Sequence, residues 1–180
     1  MAVTVARSAA RSPSTGCREG SPWSTASGSI WAASRRAMRW TASSDLLVST
    51  PAAWVNARDV AVCGTPSCCA WDIGVTRGDG SVMTLSLGRG GLATSGRDRR
   101  HWMVDSREAH HIIDPVTSAP AQTDLLRVTA VAPSAVDAEV LAKSLLICGG
   151  TEATRQANEA GVPCVLVDEK GKTVLAGGLA

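Results

Sequence analysis

From Asp45 onward the chain is a succession of short apolar runs, each bounded by Gly, Pro, Asn or Asp, and this segmentation limits the fold more than any other feature. Such runs are too short for amphipathic helices and suit strands. Trp71-Asp-Ile-Gly-Val75 and Val82-Met-Thr-Leu-Ser-Leu87 flank Arg77-Gly-Asp-Gly80, whose Asp-Gly favours a tight hairpin. The Arg-Gly-Asp triplet is read as part of that turn and not as an adhesion motif. Residues 101–104 and 109–113 flank a polar turn in the same way, and residues 52–57 with 59–62 read as a strand pair or a bulged strand. Residues 126–131 form a further strand, and residues 162–167, 169–172 and 173–176 read as strand, turn and strand. Two helices are expected. Ser134 stands in capping-box spacing with Asp137 and Gly149-Gly150 ends that helix; Thr151 is expected to cap a shorter one stopped by Gly161. Hairpins dominate and no strand-GxGxxG-helix unit occurs. The expected fold is therefore α+β, an antiparallel-rich sheet with packed helices in one domain, and not a doubly wound sheet.

The 180 residues are 44% hydrophobic and 19% charged, enough for one domain with a core. A net charge of +2 gives no concentrated basic face, so nucleic acid is not an expected partner. No apolar stretch reaches the ~18 residues a transmembrane helix needs, and the start lacks the apolar block of a secretion signal. The expected location is the cytoplasm. Cys17, Cys63, Cys68, Cys69, Cys148 and Cys164 form no pair of C-x-x-C clips, and His110 and His111 are adjacent instead of spaced for one metal. Scattered, mostly buried thiols are the expectation.

Residues that suit chemistry fall in two places. Gly90-Gly-Leu-Ala-Thr-Ser-Gly96 sets two hydroxyls between glycines after a strand, where backbone approaches a planar or phosphorylated ligand, or simply turns. In His110-His-Ile-Ile-Asp-Pro115, alternation puts His111 and Ile113 on one face, His110 and Ile112 on the other, and Asp114 at the strand's end. A histidine there suits a general base, or a strand-end histidine satisfied by a carbonyl.

The order of the pieces narrows the choice. Val55-Asn-Ala57, Trp71-Asp-Ile-Gly74, Leu92-Ala-Thr-Ser-Gly96-Arg-Asp-Arg-Arg100, His110-His-Ile-Ile-Asp-Pro115-Val-Thr117 and Val128-Thr-Ala-Val-Ala-Pro133 precede a capped helix. This succession, over roughly residues 45–180, resembles the FAD:protein FMN transferase (ApbE) family and its T-fold-like domain. The resemblance implies an enzyme that binds FAD as substrate, uses Mg²⁺, and transfers FMN to a Thr or Ser hydroxyl of an acceptor flavoprotein, releasing AMP. By position it implies His111 as the base and Asp114, in the turn behind it, as the second catalytic residue, with Thr117 of the same turn binding the cofactor. It places Thr94, Ser95 and Gly96 in the flavin-contacting loop and Glu139 as the metal carboxylate.

Departures from the family pattern are equally specific. Glu139 stands for an Asp, and Lys143 for a Thr one turn later, so an ammonium competes for the cation's place or forms an i,i+4 ion pair on a solvated helix face. Asn56-Ala-Arg58-Asp59 replaces N-x-GGD, Arg97-Asp98 precedes Arg99-Arg100 where D-Y-R-R is usual, and Thr117-Ser118 replaces Thr-Gly. Residues 1–44 are atypical: six Arg, ten Ser and one acid, Glu19, without an apolar period. They are compatible with a transit peptide, with a disordered basic arm, and with an out-of-frame segment. Written in permitted GC-rich codons and read two bases on, Gly28-Ser-Ile-Trp-Ala-Ala-Ser-Arg-Arg-Ala-Met-Arg-Trp-Thr41 becomes LDLGGIAKGDAVDR, which resembles the family's LDLGGIAKG-x-A-x-D segment. Three of the chain's six Trp, in a sequence without Phe or Tyr, fall in residues 1–44, two of them in this segment. Two other functions stay open at this level: a non-catalytic flavin-binding or electron-carrier partner protein, and an interaction protein that uses its basic arm.

Overall fold

The computed structural model describes residues 2–4, 52–56, 59–63, 70–104 and 107–179, with the Glu139 and His111 regions included. Most of residues 1–44, the replacement at residues 57–58, and Cys17, Cys68 and Cys69 lie outside the described residues. Among the described residues no helix is long and apolar enough to cross a membrane.

Among the described residues eleven strands and two helices follow in order. They are β1 (Ala2–Thr4), β2 (Ala52–Asn56), β3 (Asp59–Cys63), β4 (Trp71–Thr76), β5 (Val82–Leu87), β6 (Gly90–Gly96), β7 (His101–Val104), β8 (Arg107–His110) and β9 (Leu125–Ala132). Then come α1 (Ala135–Cys148), α2 (Gly150–Ala160), β10 (Cys164–Asp168) and β11 (Thr173–Ala176). The fold is α+β in one domain. A six-stranded antiparallel sheet runs β11-β10-β9-β6-β3-β2, a three-stranded sheet runs β1-β5-β4, and β7 and β8 form a separate hairpin. Within residues 1–44, where no apolar period is evident, Ala2–Thr4 form a strand that pairs in parallel with β5.

Alternation along the central strands divides the large sheet into two faces. Leu92 and Val131 point toward the small sheet, where they pack with Val60, Val62, Val75, Met83, Leu85 and Leu87. Ala93 and Ala132 point the other way and meet Ala138 of α1. On that side Ala142, Leu145 and Leu146 of α1 pack with Val128, Ala130, Leu166 and Ala157. The spacing of Ala138, Ala142, Leu145 and Leu146 is the i, i+4, i+7, i+8 stripe of a helix laid on a sheet. Both leucines are fully buried, a contribution of about 1.5–3 kcal/mol each from removing their apolar surface from water.

The helix ends show which sequence signals held. The Ser134 hydroxyl accepts the Asp137 N–H at 3.1 Å, as its spacing predicts. Gly161 ends α2 in the left-handed conformation, with φ 62°. Thr151, expected to cap α2, instead lies inside it. The helix starts at Gly150, whose N–H is bonded at 2.7 Å by the Asp124 carboxylate from before β9, and a cap supplied from so far away in sequence leaves no local motif.

Two further expectations are corrected. Gly90–Gly96, read as a loop after a strand, is a central strand that pairs with β3 on one side and β9 on the other. The strand expected over residues 109–113 is instead β8, which ends at His110; from there the backbone bends, and Ile113 makes an isolated bridge to Pro120. Among the described cysteines Cys63 and Cys164 are buried and Cys148 is exposed.

Candidate functional site

Between the two sheets lies a cavity of about 580 Å³, within the size range of small-molecule sites, ~300–1,000 Å³. Val60, Val62, Ile73, Val75, Leu92 and Trp71 give it apolar walls. Thr94 and Thr129 supply paired hydroxyls 2.9 Å apart, one from each of two adjacent strands. Arg99, Arg127 and Asp72 also line it. Arg127 contacts the Asp98 carboxylate at 3.5 Å and the Arg77 carbonyl at 3.4 Å, while its Nε is buried without a partner.

On the opposite, helical face the two adjacent histidines divide as alternation predicts. His110 is buried: the Ile112 N–H donates to its Nδ1 at 3.3 Å, and its Nε2–H donates to the Ala121 carbonyl at 3.1 Å. Both ring nitrogens are spent on structure. His111 is exposed, and its Nδ1–H donates a long bond of 3.4 Å to the Arg100 carbonyl. Because a carbonyl only accepts, this bond favours the tautomer that leaves Nε2 basic. Although the ring meets solvent, the protein around it desolvates the charged form and holds the imidazole below its ordinary 6.5. The positive charges of Arg100 and Lys143 and the neighbouring His110 add to this, and the Arg100 carbonyl opposes it.

Asp114 and Thr117 shape the turn beside His111. The Asp114 carboxylate accepts the Val116 N–H at 2.8 Å, and its backbone carbonyl accepts the Ser118 N–H at 2.8 Å. The exposed Thr117 hydroxyl accepts the Ala119 N–H at 3.4 Å. Glu139 lies on α1, one position from the stripe that meets the sheet, and is buried. Its Oε1 is 2.5 Å from Lys143 Nζ, while its Oε2 is buried and receives no hydrogen bond. The expected i,i+4 pair therefore exists, but withdrawn from water instead of on a solvated face.

The expected residues thus fall on two sides of one sheet. Thr94 faces the cavity, Ser95 is buried toward the helices, and Gly96 closes β6. At Gly96 a Cβ would come within 2.9 Å of the Asp98 carboxylate and 3.0 Å of the Leu126 carbonyl. The segment after Gly96 joins the two sides: Arg99 lines the cavity, and the carbonyl of the next residue, Arg100, holds His111. Arg127 and Thr129 were not singled out from the sequence as site residues. Their signal was there, as the two polar residues at i and i+2 in the otherwise apolar run of β9, which puts both on the cavity face.

The profile of the ApbE family matches residues 48–166. The chain belongs to the ApbE family. Over 81 residues it is 30% identical to the FAD:protein FMN transferase of Escherichia coli (strain K12), covering 45% of this chain and 23% of that protein. Over 83 residues it is 35% identical to the FAD:protein FMN transferase of Treponema pallidum (strain Nichols), covering 44% and 23%. The crystal structure of the ApbE protein of Thermotoga maritima superposes with a TM-score of 0.69 at 25% identity, covering 82% of this chain and 50% of that one. Apo flavinyl transferase ApbE of Pseudomonas stutzeri gives 0.67 at 22% identity, covering 82% and 48%. The chain thus overlies about half the length of these solved ApbE structures and aligns with less than a quarter of the two sequence relatives.

The Mg²⁺ that the resemblance implies does not fit the residues around Glu139 as they stand. One carboxylate oxygen is taken by an ammonium, and among the described residues no group of three or more His, Cys, Asp or Glu converges. Mg²⁺ demands near-octahedral oxygen ligation.

Proposed function

We propose that this chain carries the FAD-binding and transfer portion of an FAD:protein FMN transferase. The reading is supported above all by the Arg99–Arg100 step, where one residue lines an apolar cavity and the next positions a neutral histidine. In this reading the flavin ring of FAD enters the cavity against Trp71, Leu92 and the Thr94–Thr129 hydroxyls. The diphosphate then lies along residues 97–100, where Arg99 and Arg127 supply charge that phosphate oxygens accept in paired hydrogen bonds.

His111 Nε2 takes the proton from a Thr or Ser hydroxyl of an acceptor flavoprotein. The hydroxyl oxygen bonds to the phosphorus on the FMN side of FAD, the bond from that phosphorus to the bridging oxygen breaks, and AMP leaves with the bridging oxygen. Asp114 and Thr117 hold the turn that sets the height of His111 and do not touch the reacting atoms. Ser95 and Gly96 serve by close packing at the end of β6, which keeps the 97–100 segment in place. Mg²⁺ belongs to the activity by family resemblance, and no step here is routed through it.

The test is to incubate the full chain with FAD and an acceptor protein carrying a Thr or Ser site, then to weigh the acceptor intact. Addition of FMN mass that His111→Ala abolishes, with FAD binding retained, supports the reading. FAD binding without any mass addition, indifferent to His111→Ala, favours a non-catalytic flavin-binding or carrier protein instead.

A further inference from the structure

The Glu139–Lys143 pair differs from an ordinary helix-surface ion pair. The two side chains are only 10% and 16% exposed, with the ammonium 2.5 Å from Glu139 Oε1 and the second carboxylate oxygen buried. Exposed i,i+4 pairs are weak because water screens them; withdrawn from water, the same carboxylate must be offset by a cation at contact distance. The pair faces the functional side of the molecule, since the Lys143 charge reaches the His111 imidazole.

We propose that Lys143 is a built-in cation: its ammonium occupies the place beside Glu139 that a divalent ion would need, so this part of the chain takes up no divalent metal. A metal at Glu139 would first have to displace a contact ion pair, and with no converging set of His, Cys, Asp or Glu among the described residues it would complete its shell with water. Lys143 gives the same sign of charge as a compact ammonium with three donors, carried on α1 at a fixed position. Its functional meaning rests on the transfer reading above, in which His111 is the base, because the Lys143 charge reaches that ring.

The full chain, without flavin or acceptor, is titrated with Mn²⁺ under electron paramagnetic resonance and melted with and without millimolar Mg²⁺. In the unsubstituted chain, Mn²⁺ uptake and melting temperature are expected to match those of Glu139→Gln in their indifference to metal. Lys143→Ala is expected to melt several degrees lower and to recover part of that loss in Mg²⁺, the recovery being absent in Lys143→Ala combined with Glu139→Gln. Lys143→Thr, which keeps a polar atom at the site, replaces Lys143→Ala if the latter does not fold. Mn²⁺ uptake by the unsubstituted chain that Glu139→Gln abolishes overturns the proposal. So does a destabilised Lys143→Ala that Mg²⁺ does not rescue. Because no flavin is present, a failure here leaves the transfer reading standing, and a failure of transfer leaves this result standing.

Discussion

Ser118 takes a φ of 56°, the left-handed region, in the turn closed by Asp114, and this explains why the family prefers Gly after the threonine. A non-glycine residue there costs roughly 1–2 kcal/mol, while glycine loses more chain entropy on folding, ~0.5–1 kcal/mol. The difference favours glycine. Ser118→Gly should therefore raise stability by about 0.5–1 kcal/mol in urea unfolding, and Ser118→Val should lower it, since a branched side chain tolerates the conformation least. Beside it, His111 sets a pH dependence whose sign follows from its lowered pKa. If His111 is the base, as proposed, transfer needs the neutral ring, so its rate should be flat at neutral pH and fall only below 6.5, the ordinary value. Removing the nearby positive charge with Lys143→Thr should move that acid limb upward, and a pH profile of transfer checks both. The same sign governs stability: below 6.5 the unfolded chain binds a proton that the folded state resists, so stability falls as pH falls. The faces of His110 and His111 were legible from alternation alone. Which of the two is free was not, because the Ala121 carbonyl that occupies His110 arrives from beyond the turn.

At the scale of elements, β6 is the informative misreading. Two adjacent glycines and two hydroxyls between glycines have the composition of a loop, and nothing local says that β3 and β9 pair with both edges. The glycine at 91 is explained by a helix. A Cβ there would lie 2.3 Å from the Ala135 backbone nitrogen, so α1 can start against β6 only because that side chain is missing. Gly91→Ala should push the first turn of α1 off the sheet and destabilise the fold by about 2–3 kcal/mol. It should also disturb the position of Glu139 and Lys143, which that helix carries. Chemical unfolding checks the first effect, and the pH midpoint of transfer, through the Lys143 charge on His111, checks the second. The start of α1 was legible because Ser134 and Asp137 are neighbours in sequence, whereas that of α2 was not because Asp124 is 26 residues away.

For the molecule as a whole, the large sheet separates two groups of polar residues that the linear sequence interleaves, and in the proposed reading these are two tasks. Thr94 and Arg127 face the cavity, His111 and Lys143 the helical side, and the short segment from Gly96 to Arg100 joins the sides. If the cavity holds the flavin, substitutions on the two faces should separate by readout. Thr94→Val, which removes one of the paired hydroxyls, and Arg127→Ala should weaken FAD binding, each by about 5- to 30-fold for the loss of ~1–2 kcal/mol of polar contact. Neither should move the acid limb of transfer. His111→Ala should abolish transfer and leave FAD affinity within about twofold, because its ring lies outside the cavity lining. Trp71 lines the cavity, so quenching of tryptophan emission reports binding, and intact mass of the acceptor reports transfer. The double variant Thr94→Val with His111→Ala then decides between one site and two: binding losses equal to those of Thr94→Val alone mean that the faces act independently. A larger loss would mean that the flavin reaches His111 directly and that the sheet does not divide the work.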